Sequence, residues 1–208
     1  DWSSDVCSSD LGWFYTLMVL STSLFDKPPF KNCICHGVIL DENSQKLSKR
    51  LKNYKSPLEI FNNFGSDAMR FSICSSSVMR GNELNIDKNG EIFRESLRLY
   101  IKPIWNSLNF FILYANADAI KGELSFLSDD IIDKYILCKL KTTILSIKNH
   151  MDNYDLPVAY SLINDFFEIL NNWYIRRSRE RFWQSEISNS KINAYNTLFT
   201  ALYVISKA

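Results

Sequence analysis

With 208 residues the chain can bury a sizeable core and form one or two domains. Its 24 Lys+Arg against 23 Asp+Glu leave a formal net charge of +1, which excludes a strong global field, so any nucleic-acid contact must rest on local clusters. A hydrophobic content of 46%, with 14% aromatic residues, excludes a disordered chain. The five cysteines (Cys7, Cys33, Cys35, Cys74 and Cys138) include no C-x-x-C pair and lack the spacing of a small secreted domain. They read as free thiols in a reducing compartment.

Asp1–Leu11 (DWSSDVCSSDL) is rich in Ser and Asp, shows no apolar period and abuts an apolar segment abruptly. It back-translates in frame to a string resembling a widely used sequencing adapter. We read it as a non-native segment, which sets Trp2 and Cys7 aside. Gly12–Phe25 (GWFYTLMVLSTSLF) predicts a buried helix ended by Lys27-Pro28-Pro29. Its apolar run is shorter than the roughly 20 residues that span a bilayer, and it lacks the basic flank of a signal peptide. No membrane association is expected. Lys31–Leu40 predicts a short strand interrupted at Gly37, followed by turn chemistry at Asp41-Glu42-Asn43-Ser44. A basic loop, Gln45–Lys55, comes next. Ser56-Pro57-Leu58-Glu59 then starts a helix, with serine as cap, proline at the first helical position and Glu59 closing a capping box. That helix stops at Gly65, and Ser66-Asp67 begin another through Met69, Phe71 and Ile73.

From about Glu91 the pattern is helical. One segment spans Ile92–Tyr114 and is expected to bend at Pro103. A second follows Ser128-Asp129-Asp130 and places Ile132, Tyr135, Ile136, Leu140, Ile144 and Ile147 at helical spacing. A third runs from Asp155, with Pro157 in its first turn, to about Trp183. A fourth covers Lys191–Lys207. A boundary is expected near Asn82–Gly90, between a mixed α/β piece and a helical bundle.

Lys46-Leu47-Ser48-Lys49-Arg50 sets three cations and a hydroxyl on a loop between a strand and a capped helix. Such a loop can be a solvated basic turn, or it can clamp nucleotide phosphates, where neutralising developing charge is mostly electrostatics and positioning. Cys33-Ile34-Cys35-His36 could suggest zinc, but on a strand the two thiols share one face and the imidazole points to the other. No second cysteine pair completes four ligands, so no metal site is expected. Asn172–Trp183 closes the third of these helices, in which about 100° per residue puts Ile163, Phe166, Leu170, Trp173 and Tyr174 on one apolar face. Arg177 and Arg181 continue that stripe, while Arg176 and Arg179 lie opposite. Arginines on a core-facing stripe must be paired or emerge where the bundle opens. Two readings stay open: structural pairs with acidic residues, or contacts to RNA, which guanidinium groups and aromatics such as Trp173 and Trp183 both suit.

The order strand, His36-Gly37, turn, KLSKR, Leu51-Lys52-Asn53, capped helix, Gly65-Ser66-Asp67-Ala68-Met69-Arg70 resembles a class I aminoacyl-tRNA synthetase. In that family the signature is KMSKS or KMSKR, and a GADALR-like helix follows at about this distance. GWFYTLMVLSTSLF with PPFKN, and NWYIRRSRERFW, are similar to the isoleucyl branch, and the latter stretch lies in its anticodon-binding domain. The resemblance covers nearly all of Gly12–Ala208. It implies the C-terminal part of a Rossmann-type catalytic domain with connecting helices over residues 12–85, then an all-α anticodon-binding bundle over 86–208.

That resemblance implies a whole enzyme, cytoplasmic and monomeric, that activates isoleucine with ATP and Mg2+ and transfers it to isoleucine tRNA. Lys49 would contact the ATP phosphates and stabilise the transition state. Lys46 and Ser48 would assist, Arg50 would contribute less, and His36, Gly37 and Val38 would lie near the adenine. Leu47 replaces the family's methionine with similar volume and apolarity. Trp173, Arg176, Arg177, Arg179, Arg181 and Trp183 become candidates for tRNA contact. The HIGH signature, the amino-acid pocket and the editing insertion are not in this sequence, so the chain alone is expected to be inactive. The rival is a stand-alone helical RNA-binding or scaffold module derived from a synthetase.

Overall fold

The computed structural model of the chain describes residues 12–208. The expectation for Asp1–Leu11 falls outside these residues. The chain divides into two compact units, the first ending at Cys35 and the second running from His36 to Ala208.

In the first unit, α1 spans Trp13–Phe25 between two left-handed caps, Gly12 (φ 58°) and Asp26 (φ 50°). The helix ends before the prolines, as expected, with Phe14 edge-on to Phe30 at 5.8 Å. It is not the buried helix the sequence predicted, since none of its residues is buried. WFYTLMVLSTSLF is apolar on nearly every side, and the short described part of this unit, residues 12–35, cannot cover all sides at once.

In the second unit, β1 (Ile39–Asp41) pairs in parallel with β2 (Leu84–Ile86), Ile39 opposite Leu84 and Asp41 opposite Ile86. The predicted strand Lys31–Leu40 is thus reduced and shifted. β2 offers only three ladder positions, and residues 31–38 carry no strand pairing. Between the strands, α2 (Pro57–Phe64) begins as read. The Glu59 amide donates to Ser56 Oγ at 3.4 Å, and Pro57 sits in the first turn, where its missing N–H costs no helical bond. Gly65, at φ 86°, separates α2 from α3 (Ser66–Cys74). A 3-10 turn, Ser77–Arg80, leads into β2. Leu40, Ile60, Ala68, Phe71 and Val78 are buried apolar residues of this half, joined by Phe93 from the helix that follows β2.

The helical half comprises α4 (Glu91–Ser96), α5 (Lys102–Ala117), α6 (Ile131–Asp152), α7 (Leu156–Ile169), α8 (Arg176–Trp183) and α9 (Asn189–Ile205). Two π-helical turns interrupt it, Leu97–Ile101 before α5 and Leu170–Ile175 before α8. The first falls just ahead of Pro103. A ring that clashes with the preceding turn and supplies no N–H favours a wider turn upstream. The bundle core gathers Ile136, Leu140, Phe166, Leu170, Tyr174, Phe182, Tyr195 and Leu198. No helix among the described residues is long and apolar enough to cross a membrane.

Candidate functional site

The basic loop is held from beneath by two residues that flank it. Asp41, the last residue of β1, is almost fully buried (3% exposed). Its Oδ1 accepts from the amides of Asn43 (2.9 Å) and Gln45 (2.8 Å), and its Oδ2 accepts from Asn53 Nδ2 at 2.7 Å. Asn53 Nδ2 also reaches the Lys46 carbonyl at 3.3 Å, while its Oδ1 accepts from the Ser48 amide at 2.9 Å. The Gln45 amide and then the Asn53 side chain hold the Asp41 carboxyl below the usual carboxylate range. Lys46 bridges antiparallel to Leu40, and Ser48 Oγ accepts from the Arg50 amide at 3.2 Å.

This frame sorts the pentapeptide. Leu47, half-buried, lines a cavity of about 170 Å3 together with Ile60, Met69 and Phe93. Lys46, Lys49 and Arg50 are exposed, and none of them forms an ion pair among the described residues. Three cations face outward from a backbone that the Asp41–Asn53 pair fixes. The sequence alone marks Asp41 only as turn chemistry and Asn53 only by its place after the basic pentapeptide. The available signal was an Asp and an Asn bracketing the motif, both capable of satisfying loop amides.

His36 is exposed, with Nδ1 2.7 Å from the Gly37 carbonyl oxygen. Gly37 is buried, and its amide donates to the Val78 carbonyl at 2.7 Å. A Cβ on Gly37 would stand 1.7 Å from the Asn82 carbonyl oxygen. The close approach that glycine permits here is therefore that of the chain's own Asn82. Val38 is tied in by its carbonyl, which accepts from the Leu84 amide at 3.0 Å.

Cys33 and Cys35 bring their sulfurs to 3.8 Å, and the Cys35 contact pushes the Cys33 thiol up. No group of three or more His, Cys, Asp or Glu placed to hold a metal occurs among the described residues. Near the loop, Asp41 is filled by protein donors and Glu42 lies 4.0 Å from Lys88. These two carboxylates, which precede the loop, therefore do not fit a magnesium cradle.

In the arginine-rich segment the structure divides the candidates. Arg181 donates to both oxygens of Asp133 (2.7 and 2.8 Å), to Asp130 (2.8 Å) and to the Ser190 carbonyl (2.5 Å). Asp133 is fully buried and also accepts from Tyr174 Oη and Ser128 Oγ, each at 2.8 Å. Burial works against the Arg181 charge, but Asp133 outweighs it and the guanidinium pKa is raised.

Arg177 departs from the expected stripe. It is exposed and lies over the Trp173 ring at 5.5 Å, and Trp173 packs on Tyr135 at 4.6 Å. The cause is the π turn at Leu170–Ile175. One additional residue per turn rotates the following helix by about 100°, so Ser178 takes the buried place that an uninterrupted helix gives to Arg177. Arg176 and Arg179 are exposed, and Trp183 exposes its ring while donating Nε1 to Tyr114 Oη at 2.7 Å.

Residues 5–87 match the family model of class I tRNA synthetases (I, L, M and V), and residues 133–208 match that of the anticodon-binding domain of tRNA ligase. The isoleucine–tRNA ligase of Rickettsia prowazekii is 56% identical over 208 residues, all of this chain and 19% of that protein. That of Rickettsia felis is 59% identical over 197 residues, 95% of this chain and 18% of the relative. The chain thus spans about a fifth of the length of these curated relatives. Among solved structures, a LeuRS of Agrobacterium radiobacter, from a LeuRS-tRNA-LeuAMS ternary complex, aligns with a TM-score of 0.63 at 16% identity. The alignment covers 93% of this chain and 23% of that one, a likeness of fold. A synthetase model over the loop-bearing part, an anticodon-binding model over the bundle and similarity to ligases along the length agree: the chain belongs to the class I tRNA synthetases.

Proposed function

We propose that the full-length protein carrying this chain activates isoleucine with ATP and transfers it to isoleucine tRNA, and that this chain supplies one side of the ATP site and part of the tRNA surface. The observation that carries the reading is the Asp41–Asn53 frame, which leaves Lys46, Lys49 and Arg50 pointing outward without ion-pair partners among the described residues. In adenylate formation a carboxylate oxygen of isoleucine attacks the α-phosphorus and pyrophosphate leaves. Lys49 neutralises the charge building on the departing phosphates, Lys46 and Ser48 assist, and Arg50 contributes less. His36, Gly37 and Val38 flank the adenine. Magnesium, held by the ATP phosphates, would supply further charge neutralisation, since the buried Asp41 beside the loop is already filled by protein donors.

On the bundle, Arg176, Arg177 and Arg179, with Trp173 and Trp183, face tRNA. Arg181 works from behind by orienting α8. Residues 12–85 serve as the end of the catalytic domain and 86–208 as the anticodon-binding bundle. The whole enzyme is a cytoplasmic monomer. The match of the whole chain to full ligases favours this over a stand-alone RNA-binding module. Isoleucine-dependent ATP–pyrophosphate exchange tests the reading. The full-length protein is expected to catalyse it and this chain alone is not. No exchange by the full-length protein, or exchange by the isolated chain, contradicts it.

A further inference from the structure

Within the larger unit, a single ion-pair cluster among the described residues ties the loop-bearing half to the helices that follow α5. Arg80, closing the 3-10 turn after α3, donates to Asp155 Oδ1 through Nη2 at 2.7 Å and Nε at 3.3 Å. The other oxygen of Asp155 lies 3.1 Å from Nδ1 of His150, in the last turn of α6. Asp155 stands at the N-cap of α7, where an aspartate ordinarily accepts from its own helix's first amides. Here its side chain makes no capping bond. The carboxylate is turned across the seam, and its pairing, with Arg80 first, holds it below the usual carboxylate range. Beside it, Phe71 of α3 stacks on Tyr100 at 4.4 Å and meets Tyr160 of α7 edge-on at 4.8 Å. The aromatic contacts hold the two halves together, and the Asp155 carboxylate, with one oxygen taken by Arg80 and the other beside His150, adds a charge-assisted tie with a defined direction.

We propose that Asp155, gripped by Arg80 and His150, is a positioning residue that sets the bundle's angle against the half carrying the Lys46–Arg50 loop. The inference rests on the functional reading above, in which ATP chemistry belongs to the loop and tRNA to the bundle. Isoleucine activation needs only the first, and charging needs both held in register. Loss of the grip therefore leaves activation and tRNA affinity intact but delivers the tRNA end poorly to the adenylate.

In the full-length enzyme, Arg80→Ala and Asp155→Ala are expected to leave isoleucine-dependent exchange and the KM for tRNA unchanged, and to lower kcat for charging about tenfold. Arg80→Lys, which keeps the charge, is expected to recover part of that loss. A parallel fall in exchange and charging, or no fall in either, overturns the inference. A second measurement does not depend on catalysis: the distance distribution between probes at exposed Asn43 and exposed Lys141 should broaden in Arg80→Ala. An unchanged distribution also overturns it. Absence of exchange in the unmodified enzyme would instead refute the functional reading, and the probe distances would then judge the joint alone.

Discussion

Asp41 and Asp133 are buried carboxylates that each accept from several donors, and each fixes cationic segments near it. Asp41 shapes the loop that presents Lys46 and Lys49, and Asp133 seats Arg181 so that its neighbours on α8 face outward. Both lay in plain view in the sequence, but burial and partners depend on residues distant along the chain, such as Asp133 and Arg181, and no local pattern encodes that. Removing one member of a buried pair strands the other charge, and Arg181→Ala is expected to destabilise the protein by about 3–5 kcal/mol. Arg179→Ala, at an exposed position, is expected to change stability by less than about 0.5 kcal/mol. Urea denaturation of the two variants checks this, and similar midpoints would contradict the division made between these arginines.

At the scale of elements, local signals were legible and register was not. The Ser56-Pro57-Glu59 start, the Gly65 break and the helices from Ile131 onward appear in the structure because caps and apolar period act within a few residues. β2, only Leu84–Ile86, is too short to announce itself, so the partner of β1 could not be read. The π turns were invisible to a fixed helical period, which is why Arg177 was assigned to the core stripe. With the phase corrected, Arg176, Arg177 and Arg179 share the solvent side of α8. Replacing all three with alanine in the full-length enzyme is expected to weaken tRNA binding and flatten its salt dependence by roughly 0.7 log units for each phosphate left without its cation. Fluorescence anisotropy across a potassium chloride series measures this slope, and an unchanged slope would place the RNA elsewhere.

For the molecule as a whole, three carboxyls link stability to acid. Asp41 and Asp155 are lowered by their hydrogen-bond and ion-pair partners. Burial pushes Asp118 up, but hydrogen bonds from Lys191 and Tyr195 outweigh it and leave its carboxyl lowered. A depressed folded pKa contributes stability that is present above the ordinary carboxylate value of about 3.8–3.9, and this is lost as pH falls through the folded value. Denaturation midpoints are expected to hold near neutrality and decline below about pH 4, with a shallower decline in Asp118→Asn. Equal declines in both proteins would remove Asp118 from that linkage. The family was legible because its motifs are local strings, whereas the frame beneath the loop and the seam at Asp155 exist only in three dimensions.

The cations presented by the Asp41–Asn53 frame are expected to act on the ATP phosphates. Single-turnover formation of isoleucyl-adenylate by full-length Lys49→Ala tests it most directly. The rate is expected to fall about 10²–10³-fold with the melting temperature unchanged. An unchanged rate would remove Lys49 from the chemistry.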